Sequence, residues 1–79
     1  MKVRYKGPTF GAVSLTSDKV YQCLGVEVDG LALRIVDDSE DDYLYSAKNP
    51  APIDGSSPGG RWEIVEDDGK GTLSRVIPS

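Results

Sequence analysis

Apolar and polar side chains alternate along several short stretches of this chain, which is the pattern of β-strands with one buried face. Residues 2–6 alternate strictly between cationic and apolar side chains, and residues 20–28 form a longer run rich in β-branched and aromatic residues. We find no helical period of comparable length and no internal repeat. The pattern therefore predicts five strands, at residues 2–6, 20–28, 31–36, 43–45 and 61–66.

Turn-forming residues separate the three central strands. Asp29-Gly30 lies between two apolar runs and is a strong hairpin signal. Gly25 is placed for a bend or bulge inside a long strand. The acidic run 37–42 supplies the second turn, so the sequence predicts a three-stranded meander over residues 20–45.

Two long connections flank this meander. Residues 7–18 contain two Gly and one Pro and are predicted to be a loop, whose Phe10, Val13 and Leu15 fold back onto the mouth of a barrel. Residues 48–60 contain three Pro and three Gly, which predicts an exposed, mobile loop with Ile53 as its one candidate anchor.

The order of strand, long loop, meander and last strand is typical of an all-β, five-stranded SH3-like barrel. We assign this domain to residues 1–66 and residues 67–79 to a tail, in which 72–77 alternate weakly and are the candidate for a sixth strand. An OB-fold is the alternative, although it usually needs more residues and a helix. Most of the core volume is expected from Tyr21, Tyr43, Tyr45 and Trp62.

Composition limits the chemistry of the chain. It has 79 residues, no His and a single Cys, so neither an internal disulfide nor a Cys/His zinc site can form. Cys23 lies in an apolar run and is interpreted as a buried thiol in a reducing, cytoplasmic setting. No apolar run approaches the ~20 residues that a membrane-spanning helix needs, and the N-terminus does not resemble a signal peptide.

Charge is unevenly distributed along the chain. The net charge is −4, but residues 1–22 carry four basic side chains and one acidic, whereas residues 23–68 carry three basic and twelve acidic ones. The overall sign argues against a nucleic-acid partner. A basic strip made of Lys2, Arg4 and Lys6 is the one feature that favours nucleic acid, and a solvated strand face explains it as well.

The acidic turn is a candidate cation site because clustered carboxylates attract hard cations such as Ca²⁺. An EF-hand loop starting at Asp37 needs Gly at its sixth position and Glu at its twelfth. The chain has Asp42 and Lys48 at these positions, so that template fails. A solvated turn is the favoured interpretation and no metal or other cofactor is predicted. Without His, the commonest general base is missing and Cys23 has no activating partner, so no catalytic residue and no enzyme activity are predicted.

Tyr43 and Tyr45 are the best candidates for binding. Side chains at i and i+2 of a strand point to the same face, and beside the acidic turn two tyrosines could form a groove for a basic or Pro-containing peptide. The alternative is that both rings fill the core, or that one is buried and one exposed on a twisted strand. The proposed contact set is Tyr43, Tyr45, Asp37, Asp38, Glu40, Asp41 and Asp42.

Several short motifs resemble a group of small bacterial and phage-associated proteins that have no assigned activity. The matching residues extend over roughly residues 2–66 and are Lys19 and Tyr21, Arg34-Ile35-Val36-Asp37, Asp42-Tyr43-Leu44-Tyr45, and Glu63-Ile64-Val65. The chain departs from that pattern at Asp18, Glu40, Asp41 and Trp62. The resemblance implies an SH3-like barrel and implies nothing about mechanism.

The sequence therefore favours a small non-catalytic module that binds an unidentified protein or peptide. A nucleic-acid-associated protein and a cation-binding domain are the alternatives. We expect no membrane association. A monomer or a weak dimer is expected, the latter through an exposed edge of the first strand.

Overall fold

Five β-strands form one antiparallel sheet in the computed structural model, which describes residues 1–11, 14–52 and 55–77. The all-β class and its five strands are confirmed, with ends that differ from the predicted ones by at most one residue. The strands are β1 (Lys2–Lys6), β2 (Val20–Glu27), β3 (Ala32–Val36), β4 (Asp42–Ser46) and β5 (Arg61–Glu66).

The strands lie in the order β4-β3-β2-β1-β5. β1 pairs with β2 on one side and with β5 on the other, so the prediction that it forms an exposed edge is wrong. The two edges are β4 and β5, and backbone pairing does not join them in the described part of the chain. They nevertheless approach each other, because the Trp62 indole N–H on β5 donates a hydrogen bond of 3.0 Å to the Ser46 carbonyl on β4. The sheet therefore curls toward a barrel without closing.

Aromatic rings fill the space inside the curled sheet, with Trp62 at their centre. Its ring packs edge to face against Tyr5, Tyr21 and Tyr45, at centroid distances of 5.9, 6.4 and 6.3 Å. Tyr21 and Trp62 are buried as predicted. The Tyr5 ring is also fully buried, in keeping with the apolar face predicted for residues 2–6, although Tyr5 was not among the four aromatic residues expected to supply most of the core volume. The aliphatic side chains of Val3, Leu33 and Ile35 and the thiol of Cys23, from β1, β2 and β3, are among those that complete the interior.

The loop between β1 and β2 folds back onto this core. Phe10 and Leu15 exchange two backbone hydrogen bonds, of 3.1 and 3.3 Å, and both side chains are buried, as the apolar pattern predicted. Val13 lies outside the described residues. The predicted irregularity at Gly25 is also present, since the register between β2 and β3 shifts between Cys23 and Gly25.

The connection between β4 and β5 is anchored at both ends, while five of its described residues are exposed as expected, namely Lys48, Asn49, Gly55, Ser56 and Pro58. Pro50 and Gly59 are buried, and the Gly60 N–H donates to the Pro50 carbonyl at 3.1 Å. A Cβ at Gly60 would approach the Lys6 carbonyl oxygen to 2.3 Å, so only glycine permits this contact with the end of β1. The predicted anchor Ile53 lies outside the described residues.

The predicted sixth strand is wrong, because the segment forms a short helix, α1 (Thr72–Val76). The Asp67 and Asp68 carboxylates accept hydrogen bonds from the N–H groups of residues 72–74, which have no partners within the helix. Leu73 and Ile77 point into the core at a spacing of four, so the segment packs on the sheet instead of forming a tail. No helix in residues 1–11, 14–52 and 55–77 is long and apolar enough to cross a bilayer.

Candidate functional site

The acidic turn joins β3 to β4 through residues 37–41, and two backbone hydrogen bonds close it. The Glu40 N–H donates to the Asp37 carbonyl at 3.0 Å, and the Asp37 N–H donates to the Asp41 carbonyl at 3.1 Å. Glu40 adopts a left-handed φ of 68°, the conformation that glycine usually provides in such a hairpin. The turn is therefore built without glycine, at a conformational cost to Glu40.

Asp37 is the buried member of the turn, with 7% of its surface exposed. One carboxylate oxygen accepts hydrogen bonds from the N–H (2.9 Å) and hydroxyl of Ser39, and the other accepts one from the Tyr45 hydroxyl at 2.6 Å. A buried polar group is tolerated when its bonds are satisfied in this way. Asp37 therefore holds the turn onto the core and is not available to a partner.

Asp38 binds the long first loop to the meander. Its carboxylate accepts hydrogen bonds from Lys19 Nζ (2.6 Å), Thr16 Oγ1 (2.7 Å) and the Tyr21 hydroxyl (3.0 Å). Burial acts to raise the pKa of this carboxyl, but the three hydrogen bonds outweigh burial and hold its pKa below the usual range. Like Asp37, Asp38 therefore has its carboxylate bound by other side chains of the protein.

Asp42 belongs to an ion-paired group on the outer face of the sheet. Its carboxylate lies 2.8 Å from Arg34 Nη1, and the same guanidinium binds Glu27. The hydrogen bond from Arg34 lowers the pKa of Asp42. The group is partly exposed, so we assign it little stabilisation.

Glu40 and Asp41 are the two carboxylates of the turn that remain in solvent. Both residues are exposed, and neither carboxylate forms a hydrogen bond or ion pair with a described residue. The predicted acidic contact set thus divides into three internally bound carboxylates and two that face solvent. The latter pair lies directly before β4.

Tyr43 and Tyr45 share one face of β4, as predicted. In the register with β3 they lie opposite the buried Ile35 and Leu33. Tyr45 is half-buried beneath Trp62, and burial together with the neighbouring Asp37 raises its pKa. Tyr43 is 54% exposed, so the prediction that it fills the core is wrong. β4 is an edge strand, and no further strand among the described residues covers this ring.

Leu44 is an exposed apolar residue of β4 that is not among the predicted contact residues. It lies on the outer face of β4, opposite Arg34, and 45% of its surface is exposed. An apolar side chain at the solvent-facing position of an alternating strand was a usable signal. Tyr43 and Leu44 together give the β4 edge an exposed apolar group on each side of the sheet.

The basic strip of β1 is largely paired with acidic groups. Arg4 lies 2.8 Å from Glu63 and Lys6 lies 2.8 Å from Asp18. Lys2 lies opposite Glu66 in the register with β5. Each cation of the strip therefore has an acidic residue beside it or opposite it.

The arrangement of the described residues also bears on catalysis and metal binding. No group of three or more His, Cys, Asp or Glu side chains among them is placed to hold a metal ion. The Cys23 thiol is buried, as predicted, and its burial raises its pKa, which favours the unreactive thiol form.

Comparisons of the chain with protein-family models, with curated proteins and with solved structures gave no match. The resemblance to small bacterial and phage-associated proteins therefore stays a prediction, and functional arguments depend on the residues themselves.

Proposed function

We propose that this protein is a non-catalytic interaction module that binds a protein partner at the exposed side of β4. The binding surface, which we name the β4 surface, consists of Glu40, Asp41, Tyr43 and Leu44. The observation that carries the proposal is the 54% exposure of Tyr43, although its cross-strand neighbour on β3, Ile35, is fully buried. Tyrosine in such a position offers a large amphipathic contact area at low entropic cost.

The two alternative functions have less support. Arg4 and Lys6 each form an ion pair with an acidic residue, which leaves little positive charge for nucleic acid. Asp37, Asp38 and Asp42 are bound within the protein, which leaves few carboxylates for a cation. We retain the prediction of a cytoplasmic protein from the single cysteine of the sequence.

Affinity capture from a bacterial lysate tests the proposal, with wild type and the Tyr43→Ala variant as baits. Val65→Ala is the matched control, because Val65 is comparably exposed on the opposite edge strand β5. We expect a protein that wild type and Val65→Ala retain and Tyr43→Ala loses. Identical retention by all three baits, or no specific retention by wild type, would contradict the proposal.

Tyr43 is the better single substitution because its exposed ring contributes little to the core. A change at Tyr45 would remove the hydroxyl that binds Asp37 and would confuse loss of binding with loss of stability.

A further inference from the structure

We infer, on the basis of the proposed function, that the partner binds by strand addition: an extended, apolar segment that ends in basic residues pairs with the open edge of β4. The inference deepens the proposed function by naming the geometry and the chemistry of the partner. It follows from three observations: which residues of β4 direct their backbone groups outward, the composition of the edge, and the position of the two solvent-facing acids.

The backbone parity of β4 shows which groups face outward. Just outside its two ends, the Ala47 N–H donates to the Leu31 carbonyl and the Asp37 N–H donates to the Asp41 carbonyl. Because antiparallel partners alternate between bonded and non-bonded pairs, the odd-numbered residues of β4 bond to β3. Asp42, Leu44 and Ser46 therefore direct their N–H and C=O groups toward the open edge.

The Trp62 hydrogen bond gives an independent check of this parity. The indole N–H reaches the Ser46 carbonyl from the side of β5, as an outward-facing carbonyl requires. It also limits the edge that a partner can use. The Ser46 end is covered by Trp62, whereas no strand among the described residues pairs with the outward backbone groups of Asp42 and Leu44.

The two sheet edges differ in how they discourage pairing with another chain. β5 carries Arg61, Glu63 and Glu66, and such charges are a common protection of edge strands. β4 contains no Lys, Arg or Pro, and its one charged residue, Asp42, forms an ion pair with Arg34. An edge of this kind is a template for strand addition.

The side chains beside the edge define the partner segment. A strand added to β4 places alternate side chains next to Tyr43 on one face and Leu44 on the other. Both positions favour aliphatic or aromatic residues. Such a segment is apolar and β-branched in composition, in keeping with strand propensity.

The acidic residues before β4 determine which end of the partner segment should be basic. Glu40 and Asp41 lie before the first residue of β4, so an antiparallel partner brings its C-terminal end next to them. Lys or Arg following the apolar residues would pair with these two carboxylates, which have no ion-pair partner among the described residues. A second copy of this chain is a weaker candidate, because its net charge is also −4.

The test uses a synthetic peptide of alternating valine and tyrosine that ends in an arginine pair, with amide hydrogen exchange of the wild-type protein as the readout. In the free protein we expect rapid exchange at Leu44 and slow exchange at Tyr43 and Tyr45. The peptide should slow exchange at Leu44 in a saturable manner. The same peptide with its arginines moved to the N-terminus should bind more weakly.

A pair of variants separates strand addition from side-chain docking. Leu44→Pro removes the outward N–H without removing a hydrogen bond to β3, whereas Leu44→Ala keeps that donor. We expect Leu44→Pro to weaken peptide binding about tenfold more than Leu44→Ala does. Peptides N-methylated at alternate residues give the same test without altering the protein, because only one of the two sets should fail to bind.

Three outcomes would overturn the inference. Equal binding by both Leu44 variants and both methylated sets would leave the interaction module intact and refute strand addition. Protection of the Leu44 amide that rises with protein concentration alone would assign the edge to a second copy. Absence of any saturable effect of the peptide at millimolar concentration would refute the basic, extended partner, while the Tyr43 capture experiment still decides the proposed function.

Discussion

The two turns of the meander differ in how they contact the rest of the protein. The highly charged turn is the one bound to the core, and the turn with two apolar residues is the one that leaves them exposed. The acidic turn at residues 37–41 directs two of its carboxylates into hydrogen bonds with the core and the first loop. The turn at residues 28–31 looked like an ordinary hairpin, yet Val28 and Leu31 are 57% and 61% exposed. Val28 also has a left-handed φ of 54°, which is rare for a β-branched residue.

The difference shows that the number of charges in a turn does not indicate its function. Asp37 and Asp38 are satisfied because hydroxyl groups of Tyr45 and Tyr21 reach them from β4 and β2. No side-chain hydrogen bond reaches the turn at residues 28–31 from the described residues. Its backbone bonds are one of 3.0 Å from the Leu31 N–H to the Val28 carbonyl and one of 3.0 Å from the Ala47 N–H to the Leu31 carbonyl. Backbone hydrogen bonds close both turns, and the acidic turn is in addition held to the rest of the protein through the side chains of Asp37 and Asp38.

The largest expected effect concerns the anchor of the acidic turn. Asp37→Ala would leave the Tyr45 hydroxyl and two donors of Ser39 without an acceptor in a buried site, so we expect a loss of about 3 kcal/mol in the free energy of unfolding. Urea denaturation followed by Trp62 fluorescence measures it. The control is Asp41→Ala in the same turn, which should change stability by less than about 0.5 kcal/mol. Similar losses in both variants would mean that the turn acts only through its total charge.

A smaller effect of opposite sign is expected in the other turn. Val28→Asn should raise the free energy of unfolding by about 1 kcal/mol, because asparagine tolerates the left-handed conformation that a β-branched residue resists. Leu31→Asn is the matched control, since Leu31 is equally exposed and does not have a positive φ. Equal effects of the two variants in thermal unfolding would show that removal of exposed apolar surface, and not relief of strain, determines the change.

The sequence predicted the strands well because alternation is a local property, and it failed where distant residues meet. The spacing of Tyr43 and Tyr45 placed both on one face, but it could not show that Trp62 from β5 packs against Tyr45, which is half-buried, while Tyr43 stays 54% exposed. Residues 72–77 fit a weak alternation, and the spacing of Leu73 and Ile77 was also compatible with a helix. The carboxylates of Asp67 and Asp68 decide for the helix, and their role required knowing which N–H groups lacked partners.

The smallest expected effect is the pH dependence of the stabilisation that Asp38 provides, which has no counterpart in the turn at residues 28–31. The pKa of Asp38 is lowered in the folded protein, because its hydrogen bonds outweigh burial, and the hydrogen bond to Asp38 raises the pKa of Lys19. A lowered carboxyl pKa stabilises the fold above the unfolded value of about 3.9, and this stabilisation is lost as the pH falls through the folded value. A raised Lys pKa stabilises the fold below about 10.4 and ceases to do so as the pH rises through the folded value.

Asp38→Asn isolates this contribution, because the other carboxyls with lowered pKa, among them Asp42 and Asp68, titrate in both proteins. We expect the stability difference between wild type and Asp38→Asn to be constant near neutral pH and to shrink at both extremes, when measured by urea denaturation across the pH range. The 28–31 turn should behave differently, since the difference between wild type and Val28→Asn arises from backbone strain and should not vary with pH. A pH-independent difference for Asp38→Asn would mean that its hydrogen bonds to Thr16 and Tyr21 stabilise the turn without help from the charge, which would make the two turns alike in this respect.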